Sequence, residues 1–253
     1  MSDDIFLFLD IPIRNVSKER AVQLIWDHLE QTGPSEIHFV NAHCINVSVR
    51  DEQYRNILQS SAAVFPDGTG IRKAGDALNH PIADNVNGTD LFPMICERCG
   101  RSGKRLYLLG GKPSVAEKCA AWADSRAGSP ITAGFHDGYF SKEETPSVIQ
   151  EINASGCDIL LVGMGVPSQE MWLREHLGEL RVPVVMGVGG LFDYYSGTIP
   201  RAPLLMRKMG IEWVWRLMME PRRMWKRYII GNVQFLRRVK QVQRNQKKDR
   251  VKG

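Results

Sequence analysis

Short apolar segments of strand length alternate along most of the chain with longer segments that have helical periodicity. The strand-length segments are IFLFL (5–9), IHFV (37–40), AAVF (62–65), RLYLLG (105–110), ITAGF (131–135), DILLVG (158–163) and VPVVMG (182–187). Helices are predicted over residues 17–30, 51–60, 89–99, 114–125, 142–154 and 168–176. Parallel strands need crossover connections, and helices usually supply them. The pattern therefore predicts an α/β fold: a Rossmann-like, mainly parallel sheet with helices on both faces.

The strand pattern ends after Gly197. The remaining chain has the periodicity of two or three amphipathic helices, with breaks at Gly210 and Pro221. We therefore divide the sequence into a Rossmann-like body, residues 1–198, and a C-terminal helical appendage, residues 199–253.

Charge is divided unevenly between these two parts. The 253 residues carry a net charge of +5, but the last 32 contain twelve Lys or Arg and a single acid, and so carry +11. The rest of the chain carries −6. A segment this basic favours a partner that bears phosphate, such as nucleic acid, anionic lipid or a lipid-linked diphosphate. A solvated helix end would give the same pattern.

The cysteines and the apolar segments indicate the compartment. Five cysteines, an odd number, do not form a disulfide framework, and the pair Cys96 and Cys99 has no second pair with which to bind a metal. The six histidines show no metal-ligand spacing either. The start MSDDIFLF lacks the positive charge of a signal peptide, and no apolar segment reaches the ~18 residues that span a bilayer. We expect a cytoplasmic protein.

Three glycine-rich turns follow predicted strands. They are LLGGKPS (108–114), VGMGVPSQE (162–170) and MGVGGLFD (186–193). Ligands of open parallel sheets bind beyond the carboxyl ends of the strands, so the backbone amides of these turns favour a phosphate ligand, although tight turns alone also use glycine. A dinucleotide fits badly, because GMGVPS and GVGGLF lack the third glycine of GxGxxG. No Walker A loop or Asp-x-Asp pair is present, so we expect amides and Lys or Arg to bind the phosphates without a metal.

Asp67 is the carboxylate with the most informative position. In FPDGTG it follows a predicted strand, which places it at the carboxyl edge of the sheet in a partly apolar setting that raises its pKa. That setting suits a general base, although an Asp-Gly pair is also a common turn former. Asn41 follows the strand IHFV in the same way, and Asn87 precedes a helix that Thr89 could cap.

Eight motifs occur in a fixed order over about residues 35–230. They are FVNAH (39–43), FPDGTG (65–70), NGTDL (87–91), LLGG (108–111), GMGVPSQEMW (163–172), GVGGLFDYYSG (187–197), RAP (201–203) and GIEWVWRLMMEPRRMWKRY (210–228). In this order they resemble the WecG/TagA/CpsF family of bacterial glycosyltransferases. The resemblance implies inverting transfer of a sugar from a UDP-sugar, without metal or other cofactor, to a sugar carried by undecaprenyl diphosphate at the inner face of the cytoplasmic membrane. The sugar would be N-acetylmannosamine, its uronic acid, glucose or similar, in exopolysaccharide, capsule or related glycan assembly.

The resemblance also assigns roles to residues. It implies that Asp67 is the catalytic base and that Asn41 and Gln169 act beside it. The residues expected to bind the substrates, from the turns and the resemblance together, are Asn87, Gly110, Gly111, Gly163, Gly165, Gly187, Gly189, Asp193, Arg201, Arg216, Arg223 and Lys226.

Two positions depart from the family pattern. Phe39 stands where many members have Thr, which affects a contact near the sugar. Asn85 stands where many members have Arg, so a candidate phosphate clamp is missing, and Arg201, Lys112 or arginines of the appendage could replace it.

The expected partners are the UDP-sugar, the undecaprenyl-diphosphate-linked acceptor and an anionic membrane surface, and a homo-oligomer is compatible with the sequence. Two other classes use some of the same features. A nucleic-acid-binding protein would have the basic tail, but the body is acidic and has no RNP, KH or helix-turn-helix signature, so we expect no nucleic acid. A non-catalytic module that binds a nucleotide sugar would keep the glycine turns but would not need a group such as Asp67.

Overall fold

Eight strands form two separate sheets. The structure is a computed structural model that describes residues 4–252, without the side chains of Lys208 and of residues 249–252. The strands are β1 (Asp4–Phe8), β2 (Ile11–Asn15), β3 (Ser35–Val40), β4 (Ala63–Pro66), β5 (Leu106–Gly110), β6 (Thr132–His136), β7 (Ile159–Gly163) and β8 (Val184–Gly187). The last six form a parallel sheet in the order β4-β3-β8-β7-β5-β6. The predicted α/β, Rossmann-like fold is confirmed.

Helices cover this sheet. They are α1 (Lys18–Leu29), α2 (Ala42–Ser48), α3 (Glu52–Ser60), α4 (Thr69–Ala77), α5 (Gly88–Ser102), α6 (Val115–Ala127), α7 (Thr145–Ser155), α8 (Ser168–His176), α9 (Leu191–Tyr195), α10 (Leu204–Lys208), α11 (Glu212–Met219), α12 (Pro221–Trp225) and α13 (Gly231–Lys252). Residues Lys226–Ile230 form a π-helical turn between α12 and α13. The helices α2, α4 and α9, which follow strands β3, β4 and β8 after short turns, were not predicted from the periodicity.

The first predicted strand does not belong to the parallel sheet. β1 pairs with β2 as an antiparallel hairpin, in which Phe6 lies opposite Ile13. The sequence pattern placed residues 5–9 among the parallel strands, and that placement is wrong. It also missed β2, whose segment IPIRN is short and contains a proline, a combination that weakens a strand signal.

Alternate strand residues enter different cores on the two faces of the parallel sheet. In β5, Leu106 and Leu108 pack into one core together with side chains of α1, α5 and α6. Tyr107 and Leu109 enter the opposite core, to which α7 and α8 contribute. This period of two is what a strand covered on both faces requires.

The C-terminal helices break where the sequence indicates. Gly210 has a φ of +69° between α10 and α11, and Pro221 begins α12. Helix α13 is buried on one side, where Phe235 and Val239 join a core with the β1–β2 hairpin. The rings of Phe8 and Phe235 meet edge to face with centroids 5.8 Å apart. The end of the appendage is thus part of the packed body rather than a separate layer.

None of the helices described over residues 4–252 combines the length and the hydropathy of a membrane-spanning segment.

Candidate active site

The strand order brings several predicted residues to one edge of the sheet. Asn41 follows β3, Asp67 follows β4, and these strands are neighbours. On the other side of β3 lie β8 and β7, whose carboxyl ends lead into the glycine turns at residues 187–190 and 163–167. Parallel strands present all their carboxyl ends at one edge, so these turns and the two polar side chains are brought together.

Asn41 and Asp67 are in direct contact. The Asn41 Nδ2 donates to Asp67 Oδ2 at 3.0 Å, while its Oδ1 accepts the amides of His43 at 3.0 Å and Cys44 at 3.3 Å. Asn41 is therefore the N-cap of α2, and this cap fixes its amide group. Among the described residues, no donor contacts Asp67 Oδ1, so this carboxylate oxygen can accept a further hydrogen bond.

The environment of Asp67 tunes its basicity. Burial raises the pKa of Asp67, as its apolar setting predicts, and the charge of Asp90 adds to this. The hydrogen bond from Asn41 and the positive charge of Arg227 act in the opposite direction. A carboxylate with a raised pKa accepts a proton more readily than an ordinary one, which suits a general base.

Asn85, one of the two departures from the family pattern, holds the turn that follows Asp67. Its Oδ1 accepts the amide of Gly68 at 2.5 Å, and Gly68 has a φ of +87° that favours glycine. The next residue, Thr69, donates its hydroxyl to the carbonyl of Gly210 at 3.2 Å. The turn beside the candidate base is thus fixed by the body on one side and by the appendage on the other.

Gln169 connects two of the glycine turns. Its Oε1 accepts the amide of Gly165 at 3.2 Å and that of Gly189 at 2.9 Å, and its Nε2 donates to Glu170 Oε1 at 2.9 Å. The side chains of Gln169 and Glu170 are both buried. In this arrangement Gln169 holds the turns after β7 and β8 at a fixed separation, and the amides of Gly165 and Gly189 are already bonded within the protein.

The other predicted glycines stand where backbone or side chains come close. A Cβ on Gly187 would lie 2.8 Å from Gln169 Nε2, and one on Gly163 would lie 2.8 Å from the ring of Phe192. A Cβ on Gly110 would lie 2.6 Å from the backbone of Gly163. These close neighbours are sufficient to explain why glycine occupies the three positions.

Gly111 follows Gly110 in the turn after β5, and a Cβ on it would lie 2.8 Å from Val115 Cγ1. Its amide donates to the carbonyl of Gly163 at 3.2 Å, and its own carbonyl accepts from Gly138 at 2.9 Å. Whether the glycine turns also bind phosphate stays a prediction.

Asn87 and Arg201 meet at Asp90. The Oδ1 of Asn87 accepts the Asp90 amide at 2.8 Å, and Nδ2 of Asn87 donates to Asp90 Oδ2 at 2.9 Å. Arg201 forms an ion pair with Asp90 and lies 3.6 Å from Glu212. Burial opposes ionisation of Asp90, but hydrogen bonds from Arg201 and Asn87 keep its pKa below the ordinary value. Both predicted residues are thus engaged with this carboxylate.

The predicted cations of the appendage have different surroundings. Arg216 is buried, with its guanidinium 3.0 Å from Asp193 and 2.6 Å from Glu220. Arg223 contacts Glu220 at 3.0 Å from an exposed position. Lys226 is exposed, with its amine 5.8 Å from the ring centroid of Trp225. Asp193, predicted to bind substrate, is therefore the ion-pair partner of Arg216.

Two residues in this region were missed by the sequence reasoning. Glu170 is completely buried beside Gln169, and burial raises its pKa to about 7. Arg227 lies close enough to Asp67 and His43 for its positive charge to act on both. It opposes the rise in pKa that burial causes at Asp67, and it adds to the fall in pKa that burial causes at His43. The sequence PSQE (167–170) contained a signal for Glu170, because it places an acid directly after the site glutamine. Arg227 gave no signal beyond being one of many basic residues in the appendage.

The described residues hold no group of three or more His, Cys, Asp or Glu side chains that could bind a metal ion. Cys96 and Cys99 are buried free thiols in α5, where they pack in the core. Of the histidines, His43 lies at the start of α2 beside Asn41, and burial lowers its pKa to about 4.

Comparison with known proteins identifies the family of the chain. Two relatives from Staphylococcus aureus, strains MW2 and NCTC 8325 / PS 47, are 31% and 30% identical over 187 residues, which are 74% of this chain and 71% of each relative. Both are named N-acetylglucosaminyldiphosphoundecaprenol N-acetyl-beta-D-mannosaminyltransferase. The profile of the Glycosyl transferase WecG/TagA/CpsF family matches residues 6–249. With nearly the whole chain covered by this match, the protein belongs to the WecG/TagA/CpsF family of glycosyltransferases.

Proposed function

We propose that the protein transfers N-acetylmannosamine, or a closely related sugar, from a UDP-sugar to N-acetylglucosamine on undecaprenyl diphosphate. The names of the relatives support this acceptor and this sugar. The observation that carries the proposal is the contact between Asn41 and Asp67 at the carboxyl edge of the sheet, because it presents a carboxylate of raised pKa with one open oxygen. A module that only binds a nucleotide sugar would not need such a base.

In the proposed reaction, Asp67 accepts the proton of an acceptor hydroxyl. The hydroxyl oxygen forms a bond to the anomeric carbon of the donor sugar as the bond from that carbon to the diphosphate oxygen breaks. The electron pair of the broken bond leaves with UDP. A single displacement of this kind inverts the anomeric centre and needs no covalent intermediate.

The departing diphosphate gains negative charge that has to be stabilised. We assign this task to backbone amides and to the basic residues of the appendage, without a metal, since the sequence has no Asp-x-Asp pair. Arg201 and Arg216 already lie against carboxylates, so substrate binding would have to compete with Asp90 and Asp193 for their guanidinium groups.

The appendage also supports binding to a membrane surface at its cytoplasmic face. It exposes large apolar side chains, namely Leu204, Leu205, Met209, Met218, Trp225, Ile229 and Ile230. These lie among basic residues, and the last 32 residues carry +11. Apolar insertion and attraction to anionic lipid act together in interfacial helices, with about 1 kcal/mol for each Lys or Arg near the surface. Such binding would bring the site to its lipid-linked substrate.

The proposal is tested by measuring UDP release from UDP-N-acetylmannosamine in the presence of the lipid-linked acceptor. We expect Asp67→Asn to lower turnover by ~10² to 10⁴ while leaving UDP affinity nearly unchanged, because the amide keeps the size of the side chain but cannot accept the proton. The matched control is Asp76→Asn, an exposed position on α4, which should keep wild-type turnover. Turnover by Asp67→Asn equal to that of the control would rule out Asp67 as the base.

A further inference from the structure

The basic residues that the family resemblance assigns to the diphosphate are largely neutralised within the protein. Arg216 lies against Asp193 and Glu220, and Arg223 lies against Glu220 as well. An arginine whose charge is already balanced by carboxylates is a weaker attractor for a diphosphate than one that is not. A cation near Asp67 that lacks a counter-ion would therefore be better suited to bind a diphosphate.

Arg227 has this property. No carboxylate among the described side chains lies within ion-pair distance of its guanidinium, and its Nε is buried without a hydrogen-bond partner in the same set. The guanidinium carbon lies 5.7 Å from the ring centroid of Tyr228. A half-buried arginine with an unused donor is costly unless a ligand supplies the missing acceptor.

The π-helical turn accounts for the position of Arg227. Arg223 and Arg227 are four residues apart and would share a face in a regular α-helix. The π-helical segment Lys226–Ile230 widens the helix there, and such turns displace side chains from their regular register. Accordingly, the Arg223 side chain is 60% exposed, whereas Arg227 is half-buried.

The end of the π turn is hydrogen-bonded to helix α2. Asn46 of α2 is buried and donates its Nδ2 to the carbonyl of Gly231 at 2.7 Å, and its Oδ1 accepts from Arg238 at 3.0 Å. The same helix α2 begins at Asn41, which contacts Asp67. The π turn is thus attached to the element that positions the Asn41–Asp67 pair.

We infer that Arg227 is a substrate-binding residue whose guanidinium contacts a diphosphate group in the site that Asp67 faces. The inference rests on the proposed function for the identity of that diphosphate, which belongs either to the leaving UDP or to the lipid-linked acceptor. Arginine suits both, because its planar fork donates two parallel hydrogen bonds to phosphate oxygens.

A second consequence concerns the base. The charge of Arg227 opposes the effect of burial on Asp67 and helps to keep that carboxyl ionised. Removal of Arg227 should therefore raise the pKa of Asp67 and move the acidic limb of the pH profile of kcat/KM to higher pH. A helix residue with a purely structural role would not produce this change.

The test compares Arg227→Ala and Arg227→Lys with Arg181→Ala, an exposed arginine before β8 at the opposite edge of the sheet. Affinity for UDP and for inorganic diphosphate is measured by calorimetry, and KM is measured separately for donor and acceptor. We expect Arg227→Ala to lower kcat/KM by ~10² to 10³, with partial recovery in Arg227→Lys, which keeps the charge but not the fork. Weaker UDP binding identifies the donor diphosphate, whereas a raised acceptor KM with unchanged UDP affinity identifies the acceptor diphosphate.

Unchanged UDP affinity, KM values and pH profile in Arg227→Ala would overturn the inference. Arg227→Gln, which retains much of the side chain, serves if the alanine variant does not fold, as judged by thermal unfolding. The binding measurements need no turnover. If wild-type protein binds UDP but forms no UDP from UDP-N-acetylmannosamine in the presence of acceptor, the proposed function fails. The Arg227 inference is then still tested by the binding measurements. If wild-type protein turns over and Arg227→Ala matches Arg181→Ala, only the inference fails.

Discussion

The buried carboxyl of Glu170 predicts a specific dependence of stability on pH. Glu170 is fully buried, its Oε1 accepts from Gln169 at 2.9 Å, and its Oε2 has no partner among the described residues. Burial raises its pKa from an ordinary 4.5 to about 7, although the hydrogen bonds from Gln169 and from its own backbone act against this. Between about pH 4.5 and pH 7, the Glu170 carboxyl therefore retains a proton in the folded protein that it has already released in the unfolded chain.

The magnitude follows from the difference between the two pKa values. A pKa difference of about 2.5, at about 1.4 kcal/mol for each tenfold change in proton affinity, corresponds to about 3 kcal/mol. Because the unfolded chain binds fewer protons than the folded protein between about pH 4.5 and pH 7, stability falls as pH rises through this window. Above about pH 7 both states are ionised and the full cost is present.

Glu170→Gln removes this cost. The amide oxygen can still accept a hydrogen bond from Gln169. We therefore expect the unfolding free energy of the variant, relative to that of wild type, to increase by about 2 to 3 kcal/mol as the pH rises from about 5 to about 8. Urea unfolding followed by tryptophan fluorescence at the two pH values measures this difference. The matched control is Glu175→Gln, an exposed position on the same helix. The unfolding free energy of this control should change with pH as that of wild type does. If Glu170→Gln also ran parallel to wild type, the carboxyl would be ionised or solvated in the folded protein and the reasoning would be refuted.

Three further outcomes are expected. Activity should survive excess EDTA, because the proposed site stabilises the diphosphate with amides and Arg or Lys; loss of activity that Mg²⁺ or Mn²⁺ restores would contradict this. Gly187→Ala should lower the unfolding free energy by about 1 to 3 kcal/mol, since its Cβ would meet Gln169 and His38, whereas Gly178→Ala, with open space around it, should be tolerated in the same denaturation assay. Binding to anionic liposomes in sedimentation assays should weaken steeply once salt shortens the Debye length below ~10 Å, and equal binding to neutral liposomes would argue against the membrane proposal.

The parallel sheet was predictable because its strands are continuous apolar segments, as sheets covered on both faces require. Strand order was not, since neighbours such as β3 and β8 are far apart in sequence. The position of Asp67 at the carboxyl edge followed directly from the strand that precedes it. Its contact with Asn41 depends on the pairing of β3 with β4, which no local pattern encodes.

The role of Gln169 shows where sequence reasoning ends. The motif identified the residue, but its two acceptor contacts join turns that follow β7 and β8, and only the adjacency of these strands reveals them. Similarly, the side chains that lie close to Gly187 and Gly163 belong to other segments of the chain, so the sequence of the turns did not reveal them. Arg227 was missed because its position depends on a π turn, and single-sequence periodicity assumes a regular helix.

The edge-to-face contact of Phe8 with Phe235 has a consequence for how the protein is made. It joins the first strand to the last helix, so the core around the hairpin closes only after nearly all of the described chain has been synthesised. Until then, apolar side chains such as Phe6 and Phe8 are left without the helix that covers them. A chain interrupted before α13 would therefore present an open apolar surface to proteases and chaperones.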